Sequence, residues 1–261
     1  MIKIENAEVF GWEAAIRGMR NPLNSWSKSD SGYGCQDEDD EGKTITYNCE
    51  QCNDLCRMKA DFLIGANDLE LMMKLCKAGT DHRKFMRMIN VTCDITAPMY
   101  WWKEFDTYKV GTVRNSCSTM HTIAEKEFTL DDFSREHLFT GDYQTYGIYD
   151  NDDQQTVYLQ ASALEVLNTI IQALNAYRKA YLSSQKANKA LWWQMIQLLP
   201  SSYNQKATIQ MNYEVLVNMY HSRKAHKLDE WREFCKWVET LPYSELITGN
   251  KSGRERVNLN D

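Results

Sequence analysis

Ala207-Thr208-Ile209-Gln210-Met211-Asn212-Tyr213-Glu214-Val215-Leu216-Val217-Asn218-Met219-Tyr220-His221-Ser222-Arg223 is the stretch on which the fold turns. Ala207 to Met211 reads as a strand, and Tyr213 to Tyr220 as an amphipathic helix. Downstream, Leu228 to Leu241 is a further amphipathic helix. Upstream, Ala190 to Leu199 is a helix that stops at Pro200. Before it, Gln160 to Ser184 is long and helical, with Leu164, Leu167, Ile170, Ile171, Leu174 and Tyr177 spaced three and four apart.

Nearer the start, Asn67 to Ala78 is a short helix. Asn67 or Asp68 can cap its first amides, Leu69, Met72, Met73 and Cys76 form its buried stripe, and Gly79 stands where a C′ glycine belongs. Met86 to Ile95 alternates like a strand, and Pro98 suits the first turn of a helix over Met99 to Tyr108. Ile2 to Phe10 reads as a strand, Trp12 to Met19 as a helix, and the Ser-, Asn- and Gly-rich Asn21 to Gly34 as a loop. About five or six helices around a small sheet predict an α+β fold, with a small mixed or antiparallel sheet packed by long helices. The expected organisation is one domain over 1–250, with a Cys-rich insertion at about 31–60 and a polar tail over 251–261.

Composition agrees with a packed core. The 261 residues are 43% hydrophobic and 25% charged, with 8 Trp and 14 Tyr. Gly 12 and Pro 4 are few, which argues against Pro-rich linkers and a turn-dense sandwich. With 36 acidic and 30 basic residues the formal charge is -6, which disfavours a general binder of nucleic-acid backbones and leaves room for a local basic pocket. No apolar run approaches the roughly 18–20 residues of a membrane span. The start, Met1-Ile2-Lys3-Ile4-Glu5, lacks a signal-peptide layout. A soluble, cytoplasmic protein is the expectation.

No Gly-rich phosphate loop, His-Glu-x-x-His or Gly-x-Ser-x-Gly is present, and the five histidines are scattered. Cys35, Cys49, Cys52 and Cys56 can supply four thiolates to one tetrahedral zinc. Against zinc, only three residues separate Cys52 from Cys56, so there is no second Cys-x-x-Cys pair; reduced thiols and a redox pair are the alternatives. The acidic run Asp37 to Glu41 reads as a solvated loop.

Two blocks carry a resemblance. In Leu199 to Glu233, Leu199-Pro200 is followed by Asn212, Leu216, Asn218 and Arg223; in Lys77 to Met120, Lys77-x-Gly79 is followed by Phe85 and Ala97-Pro98. In this register they resemble the flavin-dependent thymidylate synthases, the ThyX family. The hallmark Arg-His-Arg, two residues, then Ser departs here to Thr107-Tyr108-Lys109 and Thr112, and the family's phosphate-clamping Arg is Thr119. Arg holds phosphate with a bidentate fork that Lys and Thr do not reproduce.

The resemblance implies a homotetramer with sites at subunit junctions, FAD as cofactor, methylenetetrahydrofolate and NADPH as co-substrates, and reductive methylation of dUMP. Arg223 is implied as the catalytic residue that polarises the uracil. His82, Lys109, Thr112, Asn212 and Asn218 are implied on the cofactor side. Glu104, Arg114, Ser116, Ser118 and Arg223 are implied on the nucleotide side, with Lys109, Thr112 and Ser118 left for phosphate. The alternative is a non-catalytic nucleotide-binding or scaffold protein, of phage or mobile-element origin, that kept the fold and lost the flavin. For the cysteines, zinc predicts that metal content falls on Cys49→Ser, whereas equal zinc in variant and wild type rejects it.

Overall fold

The computed structural model describes residues 2–38, 44–48, 61–140 and 161–250. Seven strands are described: β1 (Lys3–Phe10), β2 (Gly32–Glu38), β3 (Thr44–Asn48), β4 (Asp61–Leu63), β5 (Asn90–Pro98), β6 (Thr112–Ser116) and β7 (Asn204–Asn212). The longer helices are α1 (Trp12–Arg20), α2 (Ala66–Lys77), α3 (Met99–Phe105), α5 (Ala163–Ser183), α6 (Lys189–Leu198), α7 (Tyr213–Arg223) and α8 (Asp229–Glu239). Single turns form α4 (Thr119–Thr122) and α9 (Glu245–Thr248). One sheet has the order β1-β5-β7-β6; another has the order β3-β2-β4, with both pairings antiparallel. The α+β class and small sheets are as the sequence predicts.

The chain divides into two compact units. One comprises Met1–Ile4, Ile95–Thr107 and Asn115–Ala207. Its core gathers Ile123, Ala124, Phe128, Phe133, Leu167, Ile171, Leu174 and Met195 around the α5–α6 hairpin. The entry to α5 is a capping box. Ser162 N–H donates to Glu165 Oε2 at 2.6 Å, and Glu165 N–H donates to Ser162 Oγ at 3.2 Å. Trp101 and Trp102 on α3 are buried, so they serve as core.

The other unit comprises Glu5–Asp94, Tyr108–Arg114 and Thr208–Asp261. Here α7 is buried round most of its circumference through Tyr213, Val215, Leu216, Val217, Met219 and Tyr220. This corrects the amphipathic reading: only Asn218, His221 and Ser222 face outward, because the helix is an inner element. The amphipathic reading holds for α8, which buries Trp231, Phe234, Cys235 and Val238.

Other boundaries move for identifiable reasons. β5 starts at Asn90, not Met86, because Arg83–Arg87 winds into a 3-10 turn; its Val91, Cys93, Ile95 and Ala97 then alternate inward. The helix after Pro98 ends at Phe105. Part of the expected loop over Asn21 to Gly34 forms two 3-10 turns, and β2 begins within it at Gly32. α2 is not capped by Asn67 or Asp68. The Asp30 carboxylate instead accepts from Asn67 N–H at 2.8 Å and Asp68 N–H at 3.0 Å. Its fully buried positions are Asp68 and Met72, not the whole predicted stripe. Gly79 does follow the helix with φ +104°, the left-handed conformation a C′ glycine supplies.

Asp68 is the polar centre of this unit. Arg20 Nε donates to its Oδ1 at 2.6 Å, with both side chains at least 95% buried. Ser29 Oγ and Ser31 Oγ each donate to Oδ2 at 2.6 Å. Burial pushes the carboxyl pKa up, but the hydrogen bonds of Ser29, Ser31 and Arg20 and the Arg20 charge together hold it below its ordinary value. Asp68→Ala strands a buried cation and should cost about 3–5 kcal/mol, read from urea unfolding at pH 7. The lowered pKa makes this stabilisation fully present above about pH 4 and lost as pH falls through the folded-state value, so the gap between wild type and Asp68→Asn should shrink in acid.

Candidate functional site

The last residue of β7 is also the cap of α7. Asn212 Oδ1 accepts from Val215 N–H at 2.9 Å, satisfying an amide that the first helical turn leaves open. Its own N–H donates to the Gly111 carbonyl at 3.2 Å. Gly111 has φ +82°, and a Cβ there would come within 2.7 Å of Asn212 Nδ2. Both the backbone conformation and the close approach call for glycine.

Three turns later the same side of α7 ends in Arg223, since eleven residues at about 3.6 per turn return nearly to the starting face. Arg223 Nε donates to Tyr108 Oη at 2.8 Å. The guanidinium lies 4.8 Å from the Trp231 ring centroid and 5.5 Å from that of Tyr108, with Trp231 fully buried behind it. The segment Tyr108–Thr112 is thus tied to both ends of α7. Thr112 Oγ1 donates to the Tyr108 carbonyl. Lys109 and Val110, between the ties, are exposed.

Asn212, Arg223, Lys109 and Thr112 are therefore brought to one side of α7. Asn218 is not: six residues after Asn212 it stands about two-thirds of a turn away from that side and is exposed. His82 is exposed ahead of the Arg83–Arg87 turn. Its neighbour Arg83 makes the contact with α7, Nε lying 2.9 and 3.2 Å from the two carboxylate oxygens of Glu214. The sequence reading missed this pair. Its one local hint was an acidic residue in the first turn of α7, where the helix dipole favours it.

Ser116 and Ser118 lie together in the other unit, beside a cavity of about 400 Å³ that Cys117, Thr119 and Gln205 also line, with Met99, Ile196 and Leu199 as its apolar wall. Ser118 Oγ is 2.6 Å from His121 Nδ1. Gln205 Nε2 donates to the Cys117 carbonyl at 2.8 Å and to Thr119 Oγ1 at 3.1 Å. Gln205 and His121 were not singled out in the sequence. Glu104 on α3 and Arg114 on β6 are half-buried. Cys49, Cys52, Cys56 and the Cys35 side chain lie outside the described residues; among the described residues no group of three His, Cys, Asp or Glu side chains is placed to hold a metal. Nor is any described helix long and apolar enough to cross a membrane.

No protein-family model and no curated protein matches the sequence. Solved structures do. The chain shares its fold with the flavin-dependent thymidylate synthase ThyX of Helicobacter pylori, solved with FAD and dUMP: TM-score 0.57 and 15% identity over 95% of this chain and 98% of that one. The UMP/dUMP methylase PolB of Streptomyces cacaoi is also similar. Bound to 5-Br dUMP it gives a TM-score of 0.53 and 15% identity over 95% of each chain, and bound to 5-Br UMP the same score at 12% identity. At such identity the likeness is one of fold.

Asn212→Ala removes the cap and should lower stability by about 1 kcal/mol, whereas Asn212→Asp, itself a good cap, should cost less; chemical denaturation of the three proteins checks this.

Proposed function

We propose that this chain binds a pyrimidine nucleotide of the uridylate class, dUMP in the first instance. The supporting observation is the cavity lined by Ser116, Ser118 and Thr119. It presents three hydroxyls at the segment that the resemblance assigns to the nucleotide, with the Gln205 amide bracing that segment through Cys117 and Thr119, in a fold shared with two uridylate-binding enzymes. Hydroxyls serve phosphate and sugar oxygens by hydrogen bonds without a formal charge. The resemblance assigns Arg223 to the pyrimidine. Its guanidinium is held flat by Trp231 and aimed by Tyr108, so little side-chain freedom is lost on binding.

FAD fits this chain less well. Asn212 spends its carbonyl oxygen on the α7 cap, and Asn218 faces another side of the helix, so the two amides do not converge on one ring system within a single chain. Of the triplet Thr107-Tyr108-Lys109, one cation remains, and Tyr108 is engaged with Arg223. A flavin held where a homo-oligomer, a tetramer in this proposal, completed the site would supply hydride chemistry, with NADPH as its reductant and methylenetetrahydrofolate as the carbon source for converting dUMP to dTMP. The second reading is a nucleotide-binding protein of this fold without flavin chemistry.

Calorimetric titration tests the proposal. The wild type should bind dUMP more tightly than dAMP, and Ser118→Ala and Arg223→Lys should each weaken dUMP by about tenfold, the loss of one hydrogen bond to a charged or developing-charge group. Absence of dUMP binding in the full-length protein overturns it. Flavin absorbance at roughly 450 nm in the purified protein separates the two readings, since that chemistry belongs to the cofactor.

A further inference from the structure

A second cleft lies in the unit that holds α1 and β2, beside the Arg20–Asp68 pair. It is formed by α1, the Trp26–Ser31 loop, the start of β2 and Phe62 of β4, and encloses about 370 Å³, within the range of small-molecule sites. Its walls are aromatic. Trp26 and Tyr33 are half exposed, 50% and 54%, although large aromatics gain most by burial. Both are braced. Trp26 Nε1 donates to Asn21 Oδ1 at 2.9 Å, and Tyr33 stands edge-on to Phe62 with centroids 5.2 Å apart. Ile16 supplies an apolar floor.

Polar groups line the cleft too: Ser29 and Ser31, whose hydroxyls are given to Asp68, and Arg20. Arg20 is 4% exposed. Its Nε is given to Asp68 at 2.6 Å and its Nη1 to the Ser25 carbonyl at 3.2 Å; Nη2 makes no hydrogen bond among the described residues. A guanidinium nitrogen with N–H groups to give, on a residue only 4% exposed and beside two exposed rings, is a handle for an oxygen acceptor. The acceptor's charge follows from the surroundings. Arg20 is balanced by Asp68, and Arg17 on the rim lies 3.7 Å from Glu13, so a carboxylate ligand would add an unbalanced charge next to Asp68. A carbonyl takes the hydrogen bond without that cost.

We infer that this cleft binds a planar aromatic ligand bearing a ring carbonyl, an uncharged aromatic lactam, with its ring against Trp26 and Tyr33 and its oxygen on Arg20 Nη2. The probe is 2-quinolone, titrated by fluorescence into the full chain with saturating dUMP present, and naphthalene is the ring-only control. Saturable binding of 2-quinolone is expected, at least about tenfold tighter than naphthalene, from one hydrogen bond to a charged donor. Trp26→Ala and Tyr33→Ala, both at exposed positions that the fold tolerates, should each weaken it about three- to tenfold. Arg20→Lys, which keeps the charge beside Asp68 and removes Nη2, should bring 2-quinolone down to the naphthalene level, with far-UV circular dichroism confirming the fold. No saturation, equal binding of the two probes, or insensitivity to both aromatic substitutions overturns the inference. So does displacement of the probe by dUMP.

Discussion

Between β7 and α7 there is no connecting residue. Asn212 ends the strand and caps the helix, and Tyr213 begins the first turn with its N–H already given to the Ile89 carbonyl at 3.0 Å. A loop of even two residues would let the helix rotate about its axis; this junction does not. A one-residue slip would turn every α7 side chain by about 100°, and would also reverse the in–out alternation of Ala207, Ile209 and Met211. The position of Arg223 against Tyr108 and Trp231 is therefore inherited from the strand. Burial of α7 on most sides reinforces this, because Tyr213, Leu216 and Met219 have almost no exposed surface left.

Legibility in the sequence followed the range of the interactions. α1, α5, α6 and α8 were readable because their apolar spacing is local. β7 was found by type, if three residues short at its start. What was missed depends on partners far along the chain. The α2 amides are capped by Asp30, which lies 37 and 38 positions before its two donors, and Arg83 meets Glu214 across 131 positions. No window of neighbouring residues contains such pairs. The β2-β3-β4 sheet was hidden for another reason: Gly32, Gly34, Asp37 and Glu38 have the composition of a turn, and only antiparallel pairing makes them strand. In the site, Asn218 is six residues from Asn212 and five from Arg223, which puts it off their shared face. The eleven-residue return that reunites Asn212 with Arg223 was present in the numbering and went unread.

Charge in this chain is used in two ways. At the surface, pairs such as Arg17–Glu13 and Lys236–Glu233 are exposed and worth little to stability. Inside, Arg20–Asp68 and Arg83–Glu214 each join an α-helix to another part of their unit, and each pair has a further tie: serine hydroxyls donate to Asp68, Arg20 donates to the Ser25 carbonyl, and Arg83 reaches both oxygens of Glu214. Desolvating such pairs is costly, so their return is one geometry rather than a large net energy. That fixed geometry is what a binding face needs, since a site held to a few tenths of an ångström is built on elements that do not shift.

Gly111 and Asn212 occupy each other's space. The glycine has a conformation few side chains adopt, and the amide nitrogen of Asn212 stands where any β-carbon would go. The two positions consequently form a single steric unit, although a hundred residues of chain separate them. A lineage that placed a side chain at 111 would first have to shorten 212, and serine is the smaller residue that still caps a helix. Sequences sharing this architecture should change at these positions in concert, and a protein reconstructed from one partner's ancestor and the other's descendant should fold poorly, though neither residue is unusual alone.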